Sequence, residues 1–154
     1  MSTLSVRPGH GGFTLVELIV ALAIAALVLG GVPMVLPRLK HASEYHSTVR
    51  MIFSGLNSAR REAALSGRPR LFYVDLAKRE FALESSVPTP IPESVDVRLI
   101  VADTLIAPDG RGAIRFYPDG GATGGSVEIF RPSGLGTRVR VDWMLGRISL
   151  EPML

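Results

Sequence analysis

His10-Gly11-Gly12-Phe13-Thr14-Leu15-Val16-Glu17-Leu18 divides the chain: a short polar leader ends within it, and a long apolar run begins with one acid inside. From Leu18 to Val32 every side chain is apolar or Gly, and past the break at Pro33 the apolar character continues to Leu36. A bilayer's hydrocarbon core is ~30 Å thick and takes ~20 apolar residues to cross, so this run can span one. An unpaired carboxylate in lipid costs several kcal/mol, so Glu17 needs a partner.

Other readings of the run are weaker. A cleaved secretory signal has a basic start, a shorter apolar stretch and a small-residue cleavage site. Here Arg7 is the only basic side chain ahead of the run, and Pro37-Arg38-Leu39-Lys40 follows it. A buried core helix of a soluble protein is disfavoured by the run's length and by its lack of any polar face. An ordinary single-span anchor with an incidental Glu fits the hydropathy alone.

Beyond Pro37 the pattern turns periodic. Leu39, Ala42, Tyr45, Val49, Ile52, Phe53, Leu56, Ala59 and Ala63 recur at steps of three and four, along one face of a helix. Lys40, Glu44, Ser47, Arg50, Asn57 and Arg61 fall on the other face. Ser66-Gly67 with Pro69 beyond it is a stop signal. Anchor and stem together predict ~80 Å of helix at ~1.5 Å per residue, kinked at Pro33 and Pro37. The stem's apolar stripe requires a cover, and the rest of the chain must supply it.

That remainder reads as strands and turns. Leu71–Leu76 and Phe81–Leu83 around a polar turn predict a hairpin. The stretch 87–93 holds Pro88, Pro90 and Pro92 and is an extended loop. Strands are predicted over 95–101, 114–117, 127–130, 138–143 and 147–150, separated by Gly-rich connectors at 118–125 and 132–136. The expected fold class is α+β: a long N-terminal hydrophobic helix, comprising membrane anchor and amphipathic stem, packed on a C-terminal antiparallel β-sheet head. The expected segments are a leader over 1–12, a transmembrane helix over 13–36, a stem over 37–67 and a head over 68–154.

Charge is unevenly distributed within the net +3. Residues 38–70 carry seven basic side chains against Glu44 and Glu62, whereas from Leu71 onward nine basic face eleven acidic ones. The head is therefore not a basic domain. The loop charges Arg38, Lys40 and Arg50 outnumber Arg7, which by the positive-inside bias alone favours a cytoplasmic head.

No catalytic constellation emerges. Cysteine is absent, which removes disulfides, thiolate zinc sites and cysteine nucleophiles. Asp119 and the glycines to Gly125 lack the Lys-Ser/Thr and the following helix of a phosphate loop, and so read as a turn. Asp75, Asp103, Asp109, Asp119 and Asp142 lack the dense spacing of a calcium loop and suit strand-end turns. His41 and His46 are five apart, off the i, i+4 face of a helical metal pair. Trp143, the only tryptophan, reads as a core or hairpin anchor, with an exposed contact to another subunit as the alternative. No cofactor and no metal are expected.

Gly12-Phe13-Thr14-Leu15-Val16-Glu17-Leu18 closely resembles the signal of type IV pilins and type II secretion pseudopilins. In that family a dedicated prepilin peptidase cuts after the Gly and methylates the new amino terminus. The resemblance implies cleavage between Gly12 and Phe13, N-methylation of Phe13, and Glu17 as the acid that meets a neighbouring subunit's amino terminus. It also implies a leader in the cytoplasm and a head in the periplasm, opposite to the charge bias. Asn57–Ala64, Arg115–Gly125 and Val139–Ile148 look like the H-type minor pseudopilin of type II secretion.

Together these imply an inner-membrane, single-pass structural subunit, not an enzyme. It would sit near the tip of a pseudopilus that exports folded proteins across the outer membrane, with other minor pseudopilins, the major pseudopilin and inner-membrane lipid as partners. The leader departs from the family in being poor in Lys and Arg. An alternative is the similar FimT-like minor pilin of pilus assembly or DNA uptake, with Arg131, Arg138, Arg140 and Arg147 as its patch. Glu128, Asp142 and Glu151 lie among those arginines and make DNA the less expected partner.

Overall fold

The computed structural model describes residues 14–31, 36–84, 86–101 and 111–153, which belong to two compact units, Met1–Arg38 and Leu39–Leu154. In the first unit, helix α1 runs over Leu15–Gly31. Its 17 residues make ~25 Å at ~1.5 Å each. Among the described residues no helix is long and apolar enough to cross a membrane. Phe13 and residues 32–35, which the expected 13–36 span also includes, lie outside the described residues, as does the expected kink at Pro33.

Helix α2 runs over Leu36–Ser66. Pro37 is its second residue, a first-turn position where a missing N–H is harmless. Tyr45, Thr48, Ile52, Leu56, Ala59 and Ala63 are buried along one face, with Val49 and Phe53 packed beside them. The expected stripe thus holds from Tyr45 onward, but Ala42 is exposed. Glu44, expected on the solvent face, accepts a hydrogen bond from the Ser94 hydroxyl and is half-buried. Thr48 enters the core because its hydroxyl donates to Glu44 O at 2.9 Å, so no polar group is stranded. Gly67, at φ 63°, ends the helix in the left-handed conformation.

Eight strands follow: β1 Arg70–Asp75, β2 Glu80–Leu83, β3 Thr89–Pro90, β4 Asp96–Ile100, β5 Gly112–Phe116, β6 Gly125–Phe130, β7 Gly136–Val141 and β8 Ile148–Met153. They form two antiparallel four-stranded sheets, ordered β3-β2-β1-β5 and β4-β6-β7-β8. The proline-rich loop is extended as expected, with β3 inside it. It is tied to the β1–β2 turn by Arg79, whose Nη2 donates to Pro92 O and Val95 O, both at 2.8 Å.

One hydrophobic core joins α2 to both sheets. Phe72, Val74, Phe81, Ile114 and Phe116 come from the first, and Val97, Val127, Ile129, Val139 and Val141 from the second. Each such side chain contributes ~1.5–3 kcal/mol when fully buried. Gly55 marks the closest approach of helix and sheet: a Cβ there would lie 2.6 Å from Phe72 Cε2. At the N-terminal part of the buried stripe, Tyr45 OH and Thr137 Oγ1 are 2.7 Å apart, joining α2 to β7. At the helix's other end, Arg70 pairs with Glu62 at 3.9 Å and lies opposite Phe116 in the β1–β5 register.

Trp143 is not in this core. It is 65% exposed, in the turn between β7 and β8. The expected strand over 138–143 stops at Val141 because Asp142 turns the chain. Its Oδ1 accepts the N–H groups of Met144 and Leu145, each at 3.0 Å.

Candidate functional site

Two regions carry the candidate residues: the start of α1 and the outer face of the β4-β6-β7-β8 sheet. At the first, Thr14 is the helix cap. Its hydroxyl accepts the Glu17 N–H at 3.3 Å, and its carbonyl accepts the Leu18 N–H at 3.2 Å. Thr-x-x-Glu is the spacing of a capping box, so the sequence carried a signal for Thr14 beyond the apolar pattern. The cap fixes where the helix begins and places Glu17 in its first turn, where the helix dipole favours a negative charge.

Glu17 is exposed, and among the described residues its carboxylate has no partner. Around it Leu15, Val16, Leu18, Ile19 and Val20 are each more than half exposed. Gly12 and Phe13, the expected cleavage and methylation positions, lie outside the described residues.

On the sheet, the β-register sets Arg98, Glu128, Arg138 and Glu151 side by side on four neighbouring strands. Arg138 donates to Glu128 Oε1 through Nη2 at 2.7 Å and Nε at 3.0 Å, and its Nη1 lies 3.9 Å from Glu151. Arg140 lies 3.7 Å from the same Glu151, and Arg98 sits 3.8 Å from Asp96 and over the Phe130 ring. Glu128 is buried, 6% exposed, although strand alternation alone places it on the solvent side. What covers it is the Arg138 guanidinium from the next strand.

Of the four arginines in the alternative, DNA-binding reading, three are engaged by other groups. Arg138 and Arg140 are committed to carboxylates, and Arg131 stacks 4.4 Å over the Tyr45 ring with Nη2 3.4 Å from His46 Nε2. Arg147 alone of the four is exposed without an ion pair among the described residues.

The aspartates sort as turn residues. Asp75 Oδ1 accepts the Lys78 N–H at 2.8 Å and Asp119 Oδ1 the Gly121 N–H at 3.0 Å, as Asp142 does in its own turn. Asp103 and Asp109 lie outside the described residues. Among the described residues no three His, Asp or Glu side chains gather as a metal site would require.

Comparison with known proteins bears on both regions. Residues 7–33 match the family described as prokaryotic N-terminal methylation motif, and residues 48–145 match the family described as type II transport protein GspH. The chain is 25% identical over 156 residues to type II secretion system protein H of Xanthomonas campestris pv. campestris, an alignment covering 96% of this chain and 87% of that protein. Its fold matches the minor pseudopilin EpsH from the type 2 secretion system of Vibrio cholerae with a TM-score of 0.56 at 17% identity. That match covers 71% of this chain and 97% of the other.

Proposed function

The chain belongs to the GspH family of type II transport proteins, and from that premise we propose that it is a minor pseudopilin, a structural subunit near the tip of a type II secretion pseudopilus. The carrying observation is Glu17: a carboxylate without a partner among the described residues, at the capped start of an apolar helix, within a matched methylation motif. Such a charge is stabilised by a cation delivered into the same apolar setting. A neighbouring subunit's amino terminus, freed by prepilin peptidase, is that cation.

Cleavage falls between Gly12 and Phe13, and Phe13 becomes the N-methylated first residue. Before assembly the anchor lies in inner-membrane lipid, crossing once, with the head in the periplasm. On assembly its apolar surface exchanges lipid for the helices of the major pseudopilin and other minor ones. The protein is the substrate of an enzyme and works through its surfaces. DNA uptake, the alternative, is disfavoured because Arg138 and Arg140 are held by Glu128 and Glu151.

The test is the mass of the membrane-extracted protein. A chain beginning at N-methyl-Phe13 is expected in cells that carry the peptidase. An intact leader in those cells refutes processing and, with it, the pseudopilin assignment.

A further inference from the structure

The turn after β7 exposes three large apolar side chains in succession: Trp143 at 65%, Met144 at 61% and Leu145 at 56%. Their backbone is fixed. Asp142 Oδ1 holds two N–H groups of the turn, the Asp142 N–H donates to Arg147 O at 2.9 Å, and the Ala122 N–H donates to Trp143 O at 3.0 Å. Gly146, at φ 55°, closes the turn against Gly120 O, where a Cβ would come within 2.6 Å. A groove of about 410 Å³ opens beside it, walled by these side chains with Arg140, Arg147 and Glu151.

This turn lies at the end of the head marked by the C-terminus of α2, since it contacts the β5–β6 connection and β5 ends opposite Arg70. The chain arrives from α1 at the other end of α2. Among the described residues at that end of the head, Arg60, Arg61, Arg68, Arg115 and Arg147 have no ion pair, and they outnumber Asp119 and Asp142, which keep their negative charge while accepting backbone N–H groups.

We infer that the Trp143–Leu145 turn is a docking knob for the head of a different pseudopilus subunit, one offering an apolar cleft rimmed by carboxylates; this rests on the reading of the chain as a minor pseudopilin. Exposed Trp and Met beside Arg are the residue types enriched in protein interfaces, and a turn already hydrogen-bonded loses little entropy when it docks. Charge selects among occupants. A second copy would meet this basic end with its own and be repelled. A nucleic acid would be bound through arginines and flat stacking surfaces, with no use for Met144 and Leu145.

The test uses the full chain in its own membrane, with a photo-crosslinking phenylalanine analogue replacing Met144, and the same analogue replacing exposed Lys78 in the β1–β2 turn as control. The expected result is an adduct at 144, absent at 78, identified by mass as another subunit of the same secretion apparatus. Trp143→Ala is expected to weaken that contact about thirtyfold, as loss of a central interface aromatic does, and Arg147→Glu to weaken it in a salt-dependent way. No adduct at 144 above the control in a chain that is processed and co-fractionates with the pseudopilus overturns the docking surface and leaves the pseudopilin assignment standing. An adduct only with a second copy, lipid, DNA or an exported protein overturns it equally. A chain that keeps its leader overturns both.

Discussion

Arg138 and Glu128 give the sharpest test of how the head is held together. The Glu128 side chain is 8% exposed and receives two hydrogen bonds from Arg138, whose own side chain is 36% exposed and also lies 3.9 Å from Glu151. The two single deletions are therefore unequal. Arg138→Ala takes two charged hydrogen bonds from Glu128 and, by removing the guanidinium that covers it, lets water reach the carboxylate, so the cost falls below the ~3–5 kcal/mol of a fully buried pair, to ~2–3 kcal/mol. Glu128→Ala leaves an arginine that still reaches water and Glu151, so the loss is that of charged hydrogen bonds discounted for exposure, ~1–2 kcal/mol.

The measurement is chemical and thermal denaturation of the Leu39–Leu154 unit followed by far-UV circular dichroism. A domain of this size loses ~4 °C in Tm per kcal/mol, so Arg138→Ala should melt ~4 °C below Glu128→Ala. Replacing both by an apolar pair, Glu128→Leu with Arg138→Met, should recover much of the loss because no charge is left buried. Equal single-mutant costs, or a double substitution that simply sums them, would refute the claim that this arginine is committed to the fold.

Gly55→Ala gains about 1 kcal/mol of helix propensity but drives a methyl into the buried Phe72 ring, and overpacking of this kind costs ~1–3 kcal/mol. A net loss of stability is expected by the same denaturation, partly relieved in the double substitution with Phe72→Leu. Asp142→Ala removes the acceptor for two turn N–H groups that water can partly replace, so ~1 kcal/mol of stability should go. The more telling readout is faster hydrogen exchange at Met144 and Leu145, and unchanged protection there would show that the turn is held by other contacts.

What the sequence disclosed depended on how local each signal was. The apolar run, the stem's three-and-four spacing and the Ser66-Gly67 stop are patterns within one element, and helices occur at Leu15–Gly31 and Leu36–Ser66 among the residues that carry them. Strand positions were similarly legible from alternation and turn residues. The division into two sheets was not, because pairing Phe72 with Ile114 depends on the shared core and on no neighbouring residue. The same holds for Glu128, which alternation assigns to solvent and which Arg138, ten residues on, buries.

Trp143 shows the opposite error, in which residue identity suggested a core anchor while the local turn chemistry of Asp142 and Gly146 pointed it outward. The arginines and the acids among them could be counted in the sequence, but which pairs with which, Arg138 with Glu128 and Arg140 with Glu151, depends on strand register.

Glu17 has two possible physical roles, and one substitution separates them. As the third residue of a Thr14-capped helix it could serve to start α1, worth about 1 kcal/mol of helix stability. As an unpaired acid in lipid it raises the energy of the isolated subunit by ~3 kcal/mol, and a cation from a neighbour that removes this cost favours assembly more than a hundredfold. Glu17→Gln keeps the capping-box residue type and discards the charge, whereas Glu17→Ala discards both. If helix initiation is the role, Gln should rescue secretion and Ala should not. If charge pairing is the role, the two variants should be processed normally, with N-methyl-Phe13 present in both, and fail alike to co-fractionate with the other pseudopilins. Normal assembly of Glu17→Gln would sink the pairing mechanism, and the apolar exposure of α1 would then have to drive assembly through helix packing alone.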